Sequence, residues 1–116
     1  MRVMVVDDDP LMCKTLATIV REWGADVDCF QSASEAAEIV GFQGYELVLL
    51  DLNLPLRDGL WFMDHADIPS DTKVILISGS RDGMAWLERQ PELGGILVLE
   101  NGVRLYSHKI KPYLWR

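Results

Sequence analysis

The 116-residue sequence predicts an α/β fold, a three-layer sandwich built on a five-stranded parallel sheet. Leu47-Val48-Leu49-Leu50 is apolar throughout, too short for a globular helix and without the polar alternation of a half-exposed strand. Such a run suits a strand buried on both faces, as in a parallel sheet. Comparable runs alternate along the chain with segments of helical spacing, through connections short enough for crossover units. Crossovers of that kind force parallel pairing with right-handed turns. The runs also end in polar groups, Asp7, Asp51 and Ser78, where the crevice of an open α/β sheet lies.

In chain order, residues 3–6 form a short apolar strand that stops at Asp7-Asp8-Asp9-Pro10. Pro10 suits the first turn of a helix, where its missing N–H would be unpaired anyway. Met12, Leu16, Ile19, Val20 and Trp23 then give a core-facing stripe, and Gly24 ends that helix. Residues 27–30 are a more polar strand, placed near an edge. Ser32 and Glu35 have the spacing of a capping box ahead of a second helix over 36–42, closed by Gly44. The buried strand 47–50 follows, with Asp51 just past its end, Pro55 stopping it and Asp58-Gly59 making a turn. A third helix begins at 60–63 and fades by Ile68-Pro69. Residues 73–77 are a buried-type strand ending at Ser78-Gly79, 82–90 a short fourth helix stopped by Pro91, and 96–99 a fifth strand. The tail, 101–116, is open between two readings. Asn101-Gly102 is a strong hairpin signal, whereas the length of a five-unit domain favours a final helix broken by Pro112; the helix is the preferred reading.

The length fits one domain over residues 1–116, with a regular part over 2–100. No apolar run approaches a membrane span, and the opening strand does not read as a signal peptide, so a cytoplasmic location is expected. The net charge of −7 argues against this domain gripping nucleic acid directly, because phosphate contacts need a basic face. Cys13 and Cys29 sit in ordinary apolar patterns without a CxxC or a paired His; they read as structural thiols and not as a disulfide or metal pair.

The chemistry lies in what the sheet brings together. Strand ends of a parallel sheet share one edge, so Asp7, Asp8, Asp51 and Ser78 converge if their strands are neighbours. Two carboxylates ~4 Å apart repel by about 4 kcal/mol at an effective dielectric near 20. A hard divalent cation with oxygen ligands would offset that cost, and Mg2+ takes one or two carboxylates together with phosphate oxygens and water. The chemistry indicated is phosphoryl transfer to a carboxylate, with a hydroxyl and a cation holding the remaining oxygens. Each piece has a plain alternative: Asp7–Asp9 as acidic residues favouring a helix N-terminus, Ser78 as a cap or turn residue. The conjunction at successive strand ends is what is specific.

Val5-Val6-Asp7-Asp8-Asp9-Pro10, Leu49-Leu50-Asp51-Leu52-Asn53-Leu54-Pro55 with Asp58-Gly59, and Val74-Ile75-Leu76-Ile77-Ser78-Gly79 resemble the response-regulator receiver domains of two-component signalling, the CheY-like fold. The resemblance runs from Arg2 to about Leu99. It implies the strand order 2-1-3-4-5. It implies that Asp51 is the phosphoacceptor, Asp8 the direct Mg2+ ligand, Asp7 a partner holding the metal through water, and Asn53 a backbone-carbonyl ligand. Ser78 matches the hydroxyl that turns toward the phosphoryl group; Asn53 and Ser80 fall where family members tune the lifetime of the phosphorylated state. The family's lysine after strand five is the departure. Usual spacing puts Asn101 there, while Lys111-Pro112-Tyr113 recreates the Lys-Pro-aromatic pattern and Lys109 with Tyr106 offers a third arrangement. Spacing favours Asn101, which would weaken the coupling of Ser78.

The resemblance implies a signalling domain and not an enzyme in the usual sense. Its partners would be a sensor histidine kinase or phosphotransfer protein upstream and a protein target or effector domain downstream, with no membrane contact and homodimerisation open to it. A degenerate receiver serving as a constitutive protein-binding module is the alternative, favoured by the lysine position and by Trp61, Trp86 and Trp115 if exposed. An aspartyl-phosphate phosphatase is disfavoured: the place of its second acid holds Asn53, which cannot titrate.

Overall fold

The computed structural model describes residues 1–51, 59–78 and 96–100, the last of these, Leu60 and Ser78 by their backbone alone. The element order is β1 (Arg2–Val6), α1 (Pro10–Glu22), β2 (Asp26–Phe30), α2 (Ala33–Ile39), β3 (Leu47–Asp51), α3 (Gly59–His65), β4 (Lys73–Ser78) and β5 (Ile96–Glu100). The strands form one parallel sheet in the order β2-β1-β3-β4-β5. The order implied by the resemblance is the order found, with the more polar β2 at an edge.

Period-two alternation divides the core between the faces of this sheet. Val3, Val5, Leu47, Leu49, Ile75 and Ile77 point to one side, where Cys13, Leu16, Ala17 and Val20 of α1 cover them. Met4, Val6, Val48, Leu50, Val74 and Leu76 point to the other, against Ala33, Ala36 and Val40 at α2 and Phe62 of α3. Leu47, Val48, Leu49 and Leu50 are all buried, as an uninterrupted apolar strand at the centre of a covered sheet must be.

The helix boundaries differ from the expected ones at their caps. Ser32 stands at the N-cap of α2, in extended conformation, and its Oγ accepts the Glu35 N–H at 3.2 Å. The helix therefore starts at Ala33, not at residue 36, and stops at Ile39, not at residue 42. Gly44, at φ +66°, turns the chain into β3 in a backbone region that L side chains rarely adopt. β3 and β4 each run one residue further than expected, so Asp51 and Ser78 are the last strand residues and do not lie beyond the strands.

The opposite edge of the sheet is locked by its own polar cluster. The Tyr45 hydroxyl donates to Asp28 Oδ2 at 2.5 Å, Arg2 donates to the same oxygen at 3.1 Å, and the guanidinium lies over the Tyr45 ring. Trp61 is half-buried against the α2–α3 side of the core and stacks on His65, with centroids 4.7 Å apart. Residues 101–116, over which a helix and a hairpin compete, lie outside the described residues, as do the expected fourth helix, Trp86 and Trp115.

Candidate functional site

The three aspartates at the head of α1 separate into distinct roles. Asp9 is the N-cap: its Oδ1 accepts the Leu11 N–H at 3.0 Å, so the plain helix-start reading applies to this residue. Asp7 faces inward and is buried, its Oδ1 accepting the Asp9 N–H at 3.0 Å. Asp8 is exposed.

Register explains why Asp7 meets Asp51. β1 and β3 pair up to Val6 and Leu50, so the residues that follow, Asp7 just past β1 and Asp51 at the end of β3, meet at the carboxyl edge. One carboxylate oxygen each from Asp7, Asp8 and Asp51 lies within 4.8 Å of the others. At that spacing a pair of unit charges repels by about 3–4 kcal/mol at an effective dielectric near 20. Burial drives the Asp7 pKa up to about 6 from an ordinary 3.8, and the nearby charges of Asp51, Asp8 and Asp9 push the same way; the Asp9 N–H opposes them. These hard oxygen donors, negative and closely spaced, suit a divalent cation such as Mg2+.

β4 continues the edge. Asp51 pairs with Ile77, which makes Ser78 the next residue on the neighbouring strand, and Ser78 in turn pairs with Glu100 at the end of β5. The backbone of Ser78 is thus beside Asp51, while its side chain lies outside what the structure describes. Asn53, Ser80, Asn101, Tyr106, Lys109 and Lys111 also lie outside the described residues.

One relationship at the site was not read from the sequence. The Cys13 thiol donates to the Asp7 backbone carbonyl at 3.2 Å, tying α1 to the end of β1 under the acidic cluster. The available signal was the helical spacing of Cys13 with Leu16, Ala17 and Val20, which places it on the core face of α1.

A doubly wound parallel sheet in this order, with acidic side chains gathered at its carboxyl edge, defines a class of domain that binds ligands at that edge. The response regulator receiver domain model matches residues 3–97, and the chain belongs to that family, the phosphoacceptor module of two-component signalling. It is 42% identical to the transcriptional regulatory protein AruR of Pseudomonas aeruginosa, over 96% of this chain and 43% of that protein. It is therefore similar to less than half of AruR. Among solved structures, a sensor protein from Polaromonas sp. JS666 superposes with a TM-score of 0.79 at 25% identity, covering 97% of this chain and 94% of that one. The response regulator TrrA of Thermotoga maritima, solved in complex with Mg2+-BeF, gives a TM-score of 0.78 at 25% identity, with 97% of both chains covered. No helix among the described residues is long and apolar enough to cross a membrane.

Proposed function

We propose that this domain accepts a phosphoryl group on Asp51 in a Mg2+-dependent reaction, from the phosphohistidine of a sensor histidine kinase or phosphotransfer protein. The observation that carries this reading is the approach of the Asp7, Asp8 and Asp51 carboxylates to within 4.8 Å at the carboxyl edge of the sheet. Asp8 and Asp7 would hold the cation, Asp8 as a direct ligand and Asp7 as its water-mediated partner, and Asp51 and the Asn53 carbonyl would complete the protein's share. Bound there, Mg2+ would neutralise charge on the phosphoryl oxygens during transfer. A carboxylate oxygen of Asp51 attacks phosphorus as the bond to the donor imidazole breaks, leaving an acyl phosphate. The Ser78 hydroxyl then donates to a phosphoryl oxygen. The Ser78–Glu100 pairing supports Asn101, the next residue in sequence, over Lys111 for the position beside it. A neutral residue there holds the phosphoryl group with one cation fewer, so the coupling to Ser78 is weak. The phosphorylated face then engages a protein target or an effector segment; AruR's name as a transcriptional regulatory protein supports an output in gene control.

Incubation with acetyl phosphate and Mg2+, followed by intact mass, tests the reading. The expected result is a gain of about 80 Da, the mass of one phosphoryl group, which disappears with EDTA or in Asp51→Asn. An adduct that persists in Asp51→Asn, or none at saturating Mg2+, overturns it.

A further inference from the structure

Cys13 and Cys29 are distant in sequence and adjacent in space. Cys13 lies on the stripe of α1 that covers the sheet, and Cys29 shares the α1-facing side of β2 with Val27, two residues earlier. The contacts run both ways across the gap. Cys29 Sγ lies 3.5 Å from the Cys13 carbonyl, and Cys13 Sγ lies 3.9 Å from the Phe30 carbonyl. Neither thiol is in a disulfide. Their exposures differ in a useful way: Cys13 is buried, whereas Cys29, on an edge strand, is open to solvent.

We infer that Cys13 and Cys29 form an oxidation site, in which Cys29 reacts first with a low-molecular-weight disulfide such as oxidised glutathione and Cys13 resolves the adduct to an intramolecular disulfide between α1 and β2. The Cys29 thiolate attacks one sulfur of glutathione disulfide, forming a mixed disulfide and expelling one glutathione thiolate. Cys13 sulfur then attacks Cys29 Sγ, and the second glutathione thiolate leaves. The two protein thiol protons end on the two glutathione molecules, which take up the two electrons. The order follows from access, because Cys29 is exposed and Cys13 is buried.

The bridge has a consequence at the acidic edge. A Cys13 sulfur bonded to Cys29 has no S–H left to donate to the Asp7 carbonyl, so oxidation removes the contact that now anchors α1 beneath Asp7. The inference does not rest on phosphoryl transfer, and its test is independent of that reaction.

The reduced protein is treated with oxidised glutathione at micromolar protein concentration, quenched with iodoacetamide, and measured by intact mass and non-reducing peptide mapping. The expected product is a monomer lighter by two hydrogen atoms, with the Cys13 and Cys29 peptides joined. Cys13→Ser is expected to stop at a stable glutathione adduct on Cys29, and Cys29→Ser to remain unmodified under the same exposure. Backbone amide NMR shifts are expected to change at Asp7 and Asp8 on oxidation of the native chain, and not in Cys13→Ser. A stable adduct on native Cys29 without resolution, a disulfide-linked dimer, or no reaction each overturns the inference.

Discussion

Asp7 is the residue whose ionisation the fold penalises most clearly at the site. Its carboxyl titrates near 6 in the folded chain against an ordinary 3.8, so between those values the folded state holds a proton that the unfolded state has released. The associated stability is fully present below about pH 4 and is lost as pH rises through about 6. Asp28 has the opposite sign: the hydrogen bond from Tyr45 holds its carboxyl below the usual range, so its contribution is lost as pH falls. Asp7→Asn keeps an oxygen for the Asp9 N–H and removes the charge. The metal-free variant is expected to be more stable than the native chain by about 1–3 kcal/mol at pH 7, with the difference vanishing below pH 4. Urea unfolding of both proteins at pH 4, 5.5 and 7 measures this, and a pH-independent difference would refute it.

At the scale of elements, the helix starts matter because they aim the site. Asp9 caps α1 and so frees Asp7 and Asp8 for the acidic edge. Ser32 does the same service for α2, where one exposed hydroxyl decides that the helix begins at Ala33. Ser32→Ala is expected to lower stability by about 0.5–2 kcal/mol, and Ser32→Gly by only a few tenths. Equal losses in chemical unfolding for the two substitutions would remove the cap from the explanation. Gly41 contributes by closeness: a Cβ there would lie 3.1 Å from the Asp67 carbonyl, where the turn after α2 meets the segment after α3.

For the molecule as a whole, repulsion at the carboxyl edge is a load that binding relieves. A divalent cation that binds the folded chain and not the unfolded one stabilises it by about 2.7 kcal/mol at one hundred times its Kd. Thermal unfolding is therefore expected to shift upward with added Mg2+ and to return to its starting value with EDTA. Asp8→Asn is expected to lose most of the shift while leaving the fold intact, because Asp8 is exposed. A shift in Asp8→Asn equal to that of the native chain would place the ion elsewhere.

The sequence alone determined that residues 47–50 form a buried strand with a carboxylate at its end, because a short unbroken apolar run has few other stable places; the structure takes Asp51 into that strand. It also determined the layered architecture and the more polar edge at β2, since those follow from local periodicity. The resemblance supplied the strand order, which periodicity cannot, as parallel strands of similar composition are interchangeable until side chains pack. The convergence of Asp7 and Asp8 on Asp51 was read from the strand ends, whereas tertiary structure decided that Asp9 caps the helix and how closely the other carboxylates approach, a matter of the turn after Val6 and of cross-strand register. It alone showed that Cys13 and Cys29 meet. Their separation in sequence carries no signal, because the contact is made by the rotation of α1 over the sheet, which only the packed core fixes.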